Sequence, residues 1–104
     1  MMEKQKLKYE EICVLAQKSA ELEWGDFRQH GQNLLQEKCL NYGRAWMFFR
    51  NPNIAIPDVA SVRKCALVVS DKGEVRSTAD YQPDMTACME YLQRMSDHFA
   101  EKGL

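Results

Sequence analysis

The side chains best suited to chemistry with a partner are concentrated in Gly43 to Asn51, Gly-Arg-Ala-Trp-Met-Phe-Phe-Arg-Asn. Trp46, Phe48 and Phe49 crowd around Met47, and Arg44 and Arg50 flank the cluster. So short and aromatic a run predicts a β-strand, because broad flat side chains fit a pleated surface. Successive strand residues point to opposite faces. Ala45, Met47 and Phe49 therefore form a core face. Arg44, Trp46, Phe48 and Arg50 form the other, which is either a second buried face with snorkelling arginines or an exposed recognition surface. Trp and Arg dominate interface hot spots. The chemistry on offer is thus non-covalent, and Arg44, Trp46, Phe48 and Arg50 are the candidate partner-binding residues.

Covalent and metal chemistry find less support. Cys13, Cys39, Cys65 and Cys88 are dispersed, with no C-x-x-C pair. With no secretory signal evident in Met1 to Lys6, reduced thiols in a cytoplasm are expected. Their even number would permit two disulfides only in an exported chain. Cys13 and Cys88 fall on apolar helical faces and read as small core residues. Cys65 follows Arg63 and Lys64, whose charges can lower a thiol pKa. It reads better as a buried residue at the start of a strand. His30 lies in a loop without an acidic or thiol neighbour, and the two histidines and four cysteines lack the paired spacing of a zinc site. Asp71 and Glu74 share a polar turn and read as solubilising acids. No nucleophile elbow, phosphate-binding Gly-rich loop or His-Glu-x-x-His is present. The expectation is therefore no enzyme, no cofactor and no metal.

The totals narrow the partner. With 14 basic and 15 acidic residues, the chain lacks the basic excess of a nucleic-acid binder. An aromatic strand flanked by arginines resembles an RNA-stacking sheet in miniature, but the RNP consensus is absent. No apolar run approaches the roughly 18 residues that would span a membrane. At 104 residues, one domain covering 1–104 is expected.

The elements that must carry the aromatic strand follow from periodicity. Lys4 to Glu23 reads as an amphipathic helix through Tyr9, Ile12, Cys13, Ala16 and Ala20. Trp24-Gly25-Asp26 breaks it. Phe27 to Asn41 admits either a short helix or, for Leu34 to Tyr42, a strand turning back at Asn41-Tyr42-Gly43 onto the aromatic run. The strand is preferred, since an isolated strand needs a neighbour. Pro52 and Pro57 bracket an extended connector whose Ile54-Ala55-Ile56 either tucks under the sheet or makes a short edge. Val59 to Lys64 approaches a hairpin: Ala66 to Ser70, the turn Asp71-Lys72-Gly73, then Glu74 to Thr78. The apolar first arm should be central and the alternating second arm nearer an edge. Pro83 to Lys102 is the closing helix, with Pro83 at its first position and Met85, Cys88, Met89, Leu92, Met95 and Phe99 as its core stripe.

This layout resembles the immunity-protein-35-type small domains of bacteria. The matching residues are Gly43, Trp46, Phe48 and Phe49, then Val68, Val69, Asp71, Gly73, Glu74 and Val75, within a span from about Tyr9 to Met95. The chain departs from the pattern in Arg44-Ala45 and in a longer C-terminal helix. The resemblance implies a protein that binds and neutralises a cognate toxin by steric occlusion, without catalysis. The combined expectation is an α+β domain with three or four antiparallel strands and both helices on one face. Its expected role is a non-catalytic protein-binding module in the cytoplasm, with a self-associating dimer as the alternative.

Overall fold

Ile12, Ala16, Ala20 and Trp24 repeat every fourth residue and are all buried, which makes one apolar stripe along a helix. In the computed structural model, which describes residues 6–57 and 64–104, that helix is α1, Tyr9–Trp24. The Glu11 carboxylate accepts from Lys8 N at 3.1 Å, satisfying one donor of the first turn. A single 3-10 turn, Gly25–Phe27, ends it. Trp24, expected only as part of a break, is instead the last helical residue and fully buried.

Four strands follow: β1 (Leu35–Tyr42), β2 (Ala45–Arg50), β3 (Cys65–Ser70) and β4 (Val75–Ala79). They pair antiparallel in chain order, so β2 and β3 are central while β1 and β4 are edges. The strand option for Leu34 to Tyr42 holds, as does the hairpin with its central first arm. Gly43 (φ 53°) and Gly73 (φ 98°) occupy the two turns that need left-handed backbone. The first strand pair is irregular. Leu35 faces Arg50 and Cys39 faces Phe48, so Gln36, Glu37 and Lys38 bulge against Phe49 alone.

The second helix, α2, runs Met85–Lys102. Pro83 is not its first residue. Asp84 is the cap, its side chain accepting from Ala87 N at 3.0 Å, and this places Pro83 outside the helix. Gly103 (φ 68°) closes the other end, with Leu104 N donating to Phe99 O at 2.9 Å.

The helices lie on opposite faces of the sheet, not on one. Ile12, Ala16, Ala20 and Trp24 of α1 pack with Phe48, Leu67 and Val69. Cys88, Leu92 and Phe99 of α2 pack with Ala45, Met47, Phe49, Ala66 and Val68. The physical reason is that β2 and β3 are apolar at almost every position. Both faces of the sheet centre must therefore be covered. Ile54 and Ile56 of the connector are buried in the α1-side core, so of the two options the apolar triplet takes the one under the sheet. The approach Val59 to Arg63, the connector's Asp58 and the helix start at Lys4 lie outside the described residues.

Candidate functional site: a groove beside the bulged edge strand

The helices do not cover equal parts of the sheet. α1 lies chiefly over β3 and β4, and α2 over β1 and β2 with reach to β3. On the α1 side this leaves a gap between the helix and β1. Phe48 and Leu35 line it together with Tyr9, Cys13 and Gln17 from α1 and Gln36 and Glu37 from the bulge, enclosing about 220 Å³. A second groove of about 400 Å³ is lined by the same segment together with Lys38, Asn51 and Pro52. Asn33, Leu35, Gln36 and Glu37 belong to both grooves. The bulged half of β1 is thus a ridge that lines both hollows.

Local contacts hold the ridge in place. Asn51 N donates to Leu34 O at 2.8 Å, and the Asn51 side chain donates to Asn33 O at 2.8 Å. Gln36 Nε2 donates to Arg50 O at 3.0 Å and to Gln82 Oε1 at 3.2 Å. Gln36 thereby links the bulge to β2 and to the segment before α2.

The four residues expected to share a recognition face are dispersed. Phe48 is 4% exposed and belongs to the core under α1, so its face is the second buried face and not an open one. Trp46 is half-buried against the same core. Arg50 is half-buried, with Nη1 donating to Ile54 O at 2.7 Å and Asn51 O at 3.2 Å; it clamps the connector to the strand end. Arg44 lies in the β1–β2 turn, where its N donates to Ser96 Oγ at 2.9 Å. The arginines stand at opposite ends of β2, and covering both sheet faces has buried what lies between them. Only Phe48 lines the groove.

Sequence reasoning missed Tyr9 as a site residue. It was counted in the helix stripe, yet it is 48% exposed and stands at the groove wall. Its hydroxyl lies 3.4 Å from Cys39 Sγ. Hydrogen bonding with Cys39 first and with Cys13 second, reinforced by the charge those thiols can carry, holds the phenol well above the ordinary tyrosine range. A signal for this was present, since Tyr9 and Cys13 are four residues apart on one helix face. The position of Cys39 across from them could not be read from the chain. Cys13 is only half-buried, in contrast with the core position expected for it. Cys65, at the first position of β3, is likewise half-buried and not fully enclosed. Cys88 is fully buried, and burial pushes its thiol up.

Two further expectations need correction or placement. Asp71 is not a surface acid. It is 4% exposed, its N donates to Arg44 O and its O accepts from Leu7 N, because the segment before α1 folds over the hairpin turn. Its carboxylate has Lys6 Nζ at 4.0 Å as an ion-pair partner. Glu74 is half-exposed and pairs with Arg76 at 3.2 Å. His30 is exposed in the loop before β1. Among the described residues, no three of His, Cys, Asp or Glu converge as metal ligands, and no helix is long and apolar enough to cross a membrane. A polar hollow of about 510 Å³ lined by Arg50, Lys64, Asp80 and Gln82 mixes both charge signs. Its Arg50 and Asp80 already bond to Ile54 O and Gln82 N.

Family models, curated proteins and solved structures yield no match to this chain, so the functional reading rests on the ridge, its two grooves and the residues that line them.

Proposed function

We propose that the chain is a small non-catalytic protein-binding module of the cytoplasm whose contact surface is the bulged ridge of β1. The observation that carries this reading is the ridge itself: the segment Asn33 to Lys38, which leads into edge strand β1 and its bulge and lines two grooves. The groove against α1, at about 220 Å³, falls below the roughly 300 Å³ where small-molecule pockets begin. It has room for a side chain of a partner. Tyr9 and Glu37 at its rim supply an aromatic and a charge, the mixture that interfaces use around an apolar centre. In this reading Phe48 contributes as floor, and Trp46, Arg44 and Arg50 hold the strand in place. The specific form implied by the immunity-protein resemblance is occlusion of a bacterial toxin.

The test is immobilised chain against lysate of the source cells, followed by calorimetry with the purified partner. The wild type should retain one protein at 1:1 stoichiometry. A Tyr9→Ala/Glu37→Arg variant, with unchanged circular dichroism, should bind it at least tenfold more weakly, a loss of about 1.4 kcal/mol. Unchanged affinity in that folded variant would remove the ridge from the interface. The alternative, self-association, draws on the open β1 edge, which pairs with β2 alone. It predicts a dimer by light scattering that the same variant converts to monomer.

A further inference from the structure

We propose that the outer face of α1 is a self-complementary seam on which a second copy of this chain packs, its α1 running antiparallel to the first. This face is separate from the ridge, and the inference holds whatever the ridge binds. Ile12, Ala16, Ala20 and Trp24 turn one side of α1 to the core. Leu7, Glu11, Val14, Lys18 and Leu22 recur at three- and four-residue steps, with Leu15 beside them, and so share the opposite side. Val14 is 51% exposed and Leu22 89%, the two most exposed large apolar side chains among the described residues. Leu7, Val14 and Leu15, with Glu11, wall a hollow of about 290 Å³ on this face. The hairpin turn fixes its inner wall, since Leu7 N donates to Asp71 O at 2.7 Å and Leu7 and Leu15 both lie against Gly73.

The order of side chains along this face identifies what covers it. Glu11 and Lys18 stand equally far from the midpoint between Val14 and Leu15, about 5 Å along the axis on either side. A two-fold axis at that midpoint sets the second copy's α1 antiparallel. It brings Glu11 of each copy level with Lys18 of the other, making two identical ion pairs. The same operation gathers Val14 and Leu15 of both copies at the centre and sends Leu22 of each toward Leu7 and the hollow of the other. Apolar side chains then meet apolar ones, and each charge meets its opposite. Among the described residues, neither Glu11 nor Lys18 has an ion-pair partner within the chain. Glu11 is held in place, because its Oε1 accepts from Lys8 N. A membrane surface would favour a basic face. One acid and one base at mirrored positions favour a second copy.

The experiment is sedimentation equilibrium of the native full chain from about 10 μM to about 1 mM, a range suited to a small interface. The wild type should show a reversible monomer–dimer equilibrium. Leu22→Glu changes a side chain that lies almost wholly in solvent, so the fold should stand while the dimer dissociation constant rises about tenfold or more. Lys18→Glu and Glu11→Lys, each folded by circular dichroism, should self-associate as weakly, since each sets like charges face to face. Mixed together, these two variants should form a heterodimer at least as tight as the wild-type dimer, because both ion pairs between them again join opposite charges. The Tyr9→Ala/Glu37→Arg variant should keep the wild-type dimer, which separates this seam from association through the ridge. A monomer throughout the range, a dimer that survives Leu22→Glu, a dimer lost in the Tyr9→Ala/Glu37→Arg variant, or charge variants that stay apart when mixed would overturn the assignment.

Discussion

Gly43, in the β1–β2 turn, has less room for a side chain than any other glycine of the chain. Its φ of 53° is left-handed, and a Cβ there would stand 2.6 Å from Ser96 Oγ. Ser96 cannot simply turn aside, because that buried hydroxyl accepts from Arg44 N. Gly43→Ala should therefore add left-handed strain of about 1 kcal/mol and cost about 1 kcal/mol more through the displaced hydrogen bond. Urea denaturation of Gly43→Ala, Ser96→Ala and the double variant checks this. The double variant should lose less than the sum of the singles, since both disturb the same hydrogen bond. Strict additivity would show that the contact carries no energy. At this scale the residue types were legible in advance, as with Gly43 and Gly73 in turns. The environments of Asp71 and Tyr9 were not. Asp71 reads as a polar turn residue until the segment at Leu7 folds over it, and Tyr9 as helix stripe until Cys39 arrives opposite.

At the scale of elements, the closing helix shows which signals are local. Asp84 and Gly103 bound α2 through contacts a few residues away, namely Ala87 N and the carbonyls of Phe99 and Ala100. Such signals survive in any context. Asp84→Ala should cost about 1 kcal/mol, read as a lower thermal midpoint with an unchanged native spectrum. A midpoint unchanged within error would mean that water replaces the cap at no cost. The bulge in β1 belongs to the other kind. No glycine or proline marks Gln36 to Lys38. The irregularity exists because Leu35 pairs with Arg50 while Cys39 pairs with Phe48, a register set by two strands together.

Across the whole molecule, β2 and β3 are shared by two cores. Phe48, Leu67 and Val69 serve the α1 side, and Met47, Phe49, Ala66 and Val68 the α2 side. Neither core can be lost without exposing strands the other needs, so unfolding should be a single transition. Both tryptophans, Trp24 and Trp46, report from the α1 side. Leu92→Ala opens a cavity in the α2 core and should destabilise by about 2–5 kcal/mol. Its tryptophan fluorescence and far-ultraviolet dichroism should shift together. A fluorescence transition left at the wild-type midpoint would show that the two cores melt independently.

Taken alone, the sequence determined the strand and helix order and the β3–β4 hairpin, favoured a strand over a short helix for Leu34 to Tyr42, and marked the buried centre of each helix stripe but not its exposed members Tyr9 and Met85. Those follow from periodicity and turn chemistry, which act over a few residues. It also stated, in the unbroken apolar runs Trp46 to Phe49 and Ala66 to Val69, that both sheet faces required cover. The alternating reading of Arg44 to Arg50 obscured that message. Only the tertiary structure decided that α1 and α2 take opposite faces, that Phe48 is floor and not surface, and that Tyr9 meets Cys39 beside a bulged edge. The physical reason is that burial and hydrogen-bond partnership are properties of pairs of distant segments. A side chain's type limits what it can do, but which neighbour reaches it depends on how the elements pack.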